Sequence, residues 1–550
     1  MYVRRISRKN KDGSVVEYIQ LAQNYWDQQK KQSQTQVIYT FGRRDELDLA
    51  AIQRLVLSLS RLLPPEEASQ AQLEAQQHGP VELISSRPAG GAITLKGIWK
   101  RLCIDKALHK AMKSREFTAP IQEAIFAMVA NRALNPTSKL SMVDWANNNV
   151  DLDISEPLQV QHFYRGMDLL LENAELVQKK VFEATASLLN LIVDVIFFDT
   201  TNIYFETEDM GDSALQAYGN SKEGRHDSPL VTIGLAVTWQ GIPIKCWVLP
   251  GNQHDATTVE RIQGELAGWG LNRVIWVMDR GMTSDENKKF LQRGGGDYIL
   301  GEKLRGPKAS EEALRRGGRY RHVADNLQVK EVYVGHGAAK RRYVVSYNPE
   351  EAARDQATRQ KILDQLSAEL ERIEHLPPSK RARARKDLLN HKTIGRYVKE
   401  LKNGELRIDQ AKVKDDAKLD GKHLISSSND ELSAEQLAQG YKQLLEVERS
   451  FRTMKTTLDI RPVYHTKDER IRSHVLLCWL SLLLIRVIER ETVLSWKKVR
   501  SEMERLHLVE FLAENRRVFQ YTELNKDQRS ILKKLNIKPP KIIKSIEEAA

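Results

Sequence analysis

The sequence predicts an α/β protein: a mixed sheet interrupted by a large α+β insertion, preceded by a mostly helical N-terminal region with a small β-rich start. Three observations carry that prediction. From residue 193, apolar runs of strand length alternate with helix-period segments in the order βββ-α-β-α-β. Between about 306 and 420 the alternation gives way to strand-like stretches and long charged helical ones, then resumes. Upstream, 95–190 carries helical periodicity, with boundaries at Asn135-Pro136 and near Pro157.

Taken in order, residues 1–45 contain "SVVEYIQLAQNYWD" and "QTQVIYTFGRR", both strand-like with polar turns between them. "LDLAAIQRLVLSLSRLL" reads as a helix stopped by Pro64-Pro65, and 46–190 as a helical region. In 191–305 come the strands "DVIFFDTTNIYFE", "LVTIGLAV", "IPIKCWVLPG", "NRVIWVMD" and "GDYILGEKL", with a helix before each of the last two. The insertion, 306–420, is read as antiparallel strands, a long charged helix, the basic stretch "SKRARARK" after Pro377-Pro378, and a strand pair, "GELRIDQAKV" with "GKHLISSS". Strong helix character returns over 421–490, and 491–550 reads as a basic helical tail.

With 550 residues the chain exceeds one ordinary domain, and 41% apolar residues suffice for real cores. Three scattered cysteines, Cys103, Cys246 and Cys478, make neither a disulfide framework nor a zinc site and fit a reducing cytoplasm. "MYVRRISRKNKDG" is no signal peptide, and "HVLLCWLSLLLIRVIE" is broken by Arg486 and reads as a core helix, so no membrane is implied. A net charge of +12 points to a polyanionic partner.

Two aspartates stand at unusual places. Asp199 interrupts the apolar run "VIFFDTTNIYF", and Asp279 ends "VIWVMDRGM". A carboxylate is costly to bury unless it is paired or holds a cation. In open α/β sheets, ligands gather beyond strand ends. A third carboxylate, Glu448 in "YKQLLEVERSFRTMK", lies seven residues after Tyr441 and seven before Lys455, placing the three on one line of a helix. A surface pair of Glu448 with Arg452 is the alternative. Oxygen-only ligands suit Mg²⁺ or Mn²⁺, and two such ions roughly 4 Å apart serve phosphodiester chemistry. Lys455 and Arg452 would face phosphates and Tyr441 would hydrogen-bond them. Lys380, Arg381, Arg383 and Arg385 are further phosphate candidates, with a solvated helix face as the alternative. His254 and Asp255 in "NQHDAT", like His226 and Asp227 in "GRHDSP", read as loop polar residues before cleft residues.

Asp199, Asp279 and Glu448, with "YGNSKEGRHDSPLVTIGLAV" and "LPGNQHDATTVERI", resemble DDE transposases of insertion sequences, in the branch marked by a Tyr–Arg–Glu–Lys signature. Tyr441, Glu448 and Lys455 match that signature, and Leu444 stands where it has Arg. The resemblance implies a ribonuclease H-like core and a triad that binds two divalent ions, Mg²⁺ or Mn²⁺. It also implies double-stranded DNA as partner, both the element's terminal inverted repeats and the target, and a homodimer on paired ends. The N-terminal region would then recognise the ends or pair protomers. A nuclease that cuts without joining, and a DNA-binding protein with an inactive core, remain the alternatives.

Overall fold

The computed structural model describes residues 2–9, 15–27, 32–43 and 82–548, with 47, 52, 55 and 56, apart from 113–119, 207–211, 192, 220, 223, 225–226, 272, 338–339, 403 and 514–515. The helix expected at 47–63, and His226, fall essentially outside the described residues. The chain divides into two units, one of 1–85, 510–519 and 545–550, the other of 86–509 and 520–544.

In the first unit, β1 (Tyr2–Lys9), β2 (Val15–Asp27) and β3 (Gln32–Arg43) form an antiparallel sheet in that order. This is the small β-rich start. β4 (Glu82–Pro88) follows.

The second unit opens with α1 (Gly90–Arg101), α2 (Ile104–Met112), α3 (Ile121–Leu134), α4 (Lys139–Asp144), α5 (Val160–Glu172) and α6 (Ala174–Leu188). Among the described residues, nine strands then make one mixed sheet. Its first strands are β5 (Val195–Tyr204), β6 (Leu230–Thr238) and β7 (Pro243–Pro250), an antiparallel set. After α7 (Val259–Ala267), β8 (Ile275–Met278) pairs parallel to β5. After α8 (Asp285–Arg293), β9 (Asp297–Glu302) pairs parallel to β8. Side chains alternate across a strand. Ile196, Phe198, Trp276, Met278 and Leu300 therefore share one face, packed with Val259, Ile262 and Leu291 of the helices. Asp199 and Asp279 belong to the other face.

The insertion begins with α9 (Lys308–Arg315), β10 (Arg321–Ala324), β11 (Leu327–Val334) and β12 (Arg341–Tyr347). These strands extend the main sheet through β15 (Lys422–Ser427), which lies between β12 and β9. That corrects the expectation of a strand pair between 404–413 and 421–428. β14 (Leu406–Ile408) pairs instead with β13 (Val398–Glu400), and 410–417 is α12 (Gln410–Ala417), capped by Asp409. The apolar segment "HLIS" is taken by the core sheet, where both neighbours offer backbone partners. α10 (Pro349–Glu374) and α11 (Pro378–Asn390) precede these strands, packed through Leu366, Ile373 and Leu388.

α13 (Ala434–Lys442) and α14 (Leu445–Thr456) return to the sheet. α15 (Asp468–Thr492) has charged ends and, between Ser473 and Ile485, is buried on every side, as a largely apolar core helix must be. It is long and apolar enough to cross a membrane, yet 89% of that stretch is buried inside the protein. Its Ser473 and Ser481 hydroxyls donate to the carbonyls of Met167 and Val129, tying it to α5 and α3. The tail differs from the helical expectation. Besides α16 (Trp496–Met503) and α17 (Lys526–Lys534) it holds strands β16 (His507–Ala513), β17 (Arg516–Tyr521) and β18 (Ile543–Glu548). The runs "HLVEFLA" and "RRVFQY" carry the β-branched and aromatic residues that favour a pleated, half-buried surface.

Candidate active site

The pairing register brings the two aspartates together. Phe198 of β5 stands opposite Met278 of β8, so Asp199 and Asp279 follow one residue later on adjacent parallel strands. Neighbouring strands lie about 4.8 Å apart. Met278 in turn pairs with Leu300, which puts Gly301 of β9 next in line after Asp279.

Gly301 leaves room for Tyr441, whose hydroxyl donates to Asp279 Oδ1 at 2.9 Å. Tyr441 is held by α13, started by a reciprocal cap in which Ser433 Oγ accepts from Gln436 N–H and Gln436 Oε1 accepts from Ser433 N–H. The single helix expected through Tyr441, Glu448 and Lys455 is not what forms. Between α13 and α14 the chain tightens: Leu444, Glu446 and Val447 N–H donate to the carbonyls three residues back. Such 3₁₀ turns advance by 120° per residue, so Tyr441 rotates off the line of Glu448 and Lys455. The sequence reading aimed Tyr441 at DNA; its hydroxyl is instead engaged with Asp279.

Glu448 is exposed in the first turn of α14, and among the described residues it makes no ion pair; Glu446 takes the neighbouring arginine, Arg449, instead. Lys455, at the far end of α14, donates to Thr201 Oγ1 at 2.7 Å. Burial lowers its pKa, with the Lys222 charge adding to the effect and Asp199 opposing it. Arg452 is exposed. Asp199, Asp279, Glu448, Tyr441 and Leu444 line one cleft of about 500 Å³, together with Arg280, Lys422 and Lys442.

Sequence reasoning missed what lies on the other side of Asp199. Lys222, from the loop between β5 and β6, donates to Thr200 O at 2.7 Å and Thr200 Oγ1 at 2.9 Å. Its ammonium stands 3.6 Å from Asp199 Oδ1 and 3.5 Å from Asp255 Oδ2. Thr200 Oγ1 donates to Asp255 Oδ1 at 2.6 Å. Asp255, read as a loop residue first, therefore belongs beside the cleft. Its position two residues after the "GNQ" turn was the signal available, and a common one.

Burial pushes the Asp199 carboxyl up to about 6; Lys222 and the Thr200 N–H oppose that, and the charges of Asp279 and Asp255 add to it. Tyr441 is raised as well, by burial and then by Asp279. A half-buried carboxylate crowded by two others is a place for a cation, and a donor set of oxygens alone suits a hard divalent one. Asp199 and Asp279 fit that ion. Among the described residues, no three carboxylate, imidazole or thiolate groups stand close enough to hold one ion; Glu448 lines the same cleft as the two aspartates.

The basic stretch of α11 divides. Lys380 and Arg383 are exposed, Arg383 lying 4.0 Å from Asp387, and Arg385 is half-buried. Arg381 is half-buried: its guanidinium donates to the carbonyls of Leu376 and Glu374, at 2.6 Å each, and closes the C-terminal end of α10.

Carboxylates on neighbouring strands, Asp199 in the middle of β5 and Asp279 just past the end of β8, opening on a cleft with cationic walls, are the equipment of enzymes that act on phosphodiesters. The family model for the transposase DDE domain matches residues 194–484, more than half of the chain. A second, the IS1634 family transposase N-terminal domain, matches 3–71. The chain belongs to the DDE transposases of insertion sequences, nucleic-acid-cleaving enzymes that act on DNA and typically use divalent metal ions. No curated protein matches it.

Proposed function

We propose that this chain binds the terminal inverted repeats of its own mobile element, cleaves the DNA ends and joins them to target DNA. Asp199, Asp279 and Glu448 would hold the divalent ions, two Mg²⁺ with Mn²⁺ as substitute. When bound, such ions lower the pKa of an attacking hydroxyl and stabilise the leaving oxygen. The observation that carries the reading is the register of β5 and β8, which sets two carboxylates side by side at the mouth of a cleft.

The chain's own residues do the rest. Tyr441 fixes the Asp279 carboxylate by its hydroxyl, so an oxygen is oriented before DNA arrives. Lys455, Arg452 and Arg280 supply positive charge for the phosphate backbone, and Lys380, Arg383 and Arg385 extend it along the insertion. Contacts of this kind position DNA without reading its sequence. Recognition of the ends falls to the N-terminal region, and two protomers would pair to bring two ends together.

Supplying a pre-cut element end with a free 3′-hydroxyl, a target plasmid and Mg²⁺ tests the joining step. Covalent end–target products formed by the wild type and lost in Asp279→Asn support transposition. End cleavage without any joined product would make the protein a nuclease.

A further inference from the structure

Lys222 is held at both ends by β5. Its backbone N–H donates to Asn202 Oδ1 at 3.3 Å, and Asn202 is itself fixed by donating to Thr232 Oγ1. Its ammonium reaches back to Thr200, and the remaining N–H direction is left to Asp199 and Asp255. Asp255 comes from a different segment, the 3₁₀ turn Asp255–Thr258, and is locked by the Thr200 hydroxyl. Four oxygens from two segments thus surround one compact positive charge beside the central aspartate. A lysine that merely solvated a loop would need none of them.

We propose that Lys222 is the internal counter-cation of Asp199, anchored by Thr200 and Asp255, and that it competes with the divalent ion for that carboxylate. The inference rests on Asp199 being an ion ligand, as argued above. A lysine ammonium is a point charge on a flexible stem, so it can neutralise Asp199 before DNA arrives and withdraw when a doubly charged ion takes its place. Two cations drawn to one carboxylate repel each other, so the affinity of the DNA-free protein for metal is held down. Lys222 is 42% exposed, which leaves it a path out of the nest and screens the repulsion. The released ammonium then stands at the cleft edge, where a phosphate can receive it.

Mn²⁺ titration of the full-length, DNA-free protein, followed by the electron paramagnetic resonance signal of free Mn²⁺, tests this. Lys222→Ala and Lys222→Gln are expected to bind Mn²⁺ about tenfold tighter than wild type, while Lys222→Arg, which keeps the charge, stays near wild type. Circular dichroism melts establish that each variant is folded. Unchanged or weaker binding in both neutral variants would overturn the proposal. A tightening shared by Lys222→Arg would also overturn it, because the charge would not be the cause. Asp199→Asn separates the two claims: it should abolish the site in wild type and Lys222→Ala alike. If it leaves Mn²⁺ binding intact, the assignment of Asp199 as a ligand has failed instead.

Discussion

The Tyr441 hydroxyl donates to Asp279 Oδ1 at 2.9 Å, joining residues 162 positions apart. It is one of the contacts by which the helix after the insertion reaches the strands before it. Groups that orient a metal-binding carboxylate typically matter by 10–100-fold. Tyr441→Phe keeps the ring and removes the bond. End cleavage should fall by about 10–100-fold while DNA affinity changes little. A large loss of DNA binding with normal cleavage of bound DNA would return Tyr441 to the phosphate-contact role.

Gly301 tests the same bond from the opposite side. A Cβ there would collide with the Tyr441 hydroxyl and ring, and would come within 3.2 Å of the Arg280 nitrogen. Gly301→Ala should lower cleavage as Tyr441→Phe does, and the double variant should lose little more than either alone, because both break one contact. Additive losses would show that Gly301 acts through something else.

Asp199 makes stability depend on pH. Its carboxyl titrates at about 6 in the folded chain against 3.8 as a free side chain, so the folded state holds the extra proton between those values. Without metal, this group's contribution falls as pH rises from about 4 to about 6, by roughly 2–3 kcal/mol in all. Chemical denaturation of the metal-free protein should show that decline, and Asp199→Asn should remove it. Added Mg²⁺ should stabilise the wild type near pH 7 and leave Asp199→Asn unmoved.

Lys288 of α8 and Glu302 of β9 form an ion pair with side chains only 6% and 7% exposed. Breaking such a pair strands a buried charge. Lys288→Met should cost about 3–5 kcal/mol, and adding Glu302→Met should recover most of it. Urea unfolding of the two variants decides, and an unharmed single variant would refute the pairing.

Much of this site was legible before the fold. An apolar run that meets an Asp is a strand delivering a carboxylate, and two such runs gave Asp199, in the middle of its strand, and Asp279, just past the end of its own. What sequence could not carry was the tightened turn between α13 and α14. Seven-residue spacing assumes 3.6 residues per turn throughout, and three short backbone bonds were enough to turn Tyr441 toward Asp279. Lys222 was hidden for a different reason: a long side chain on a loop leaves no periodic trace of where its charge ends. Strand partners were also beyond reach, since "HLIS" looks the same beside β14 as between β12 and β9.

The most direct measurement of the central claim is Mg²⁺-dependent cleavage of DNA carrying the element's own ends, by wild type and by Asp199→Asn of confirmed fold and DNA affinity. If Asp199 holds the ion, the wild type cuts at the ends and the variant loses well beyond the 10–100-fold of a supporting residue. Cleavage by Asp199→Asn at close to the wild-type rate would contradict it.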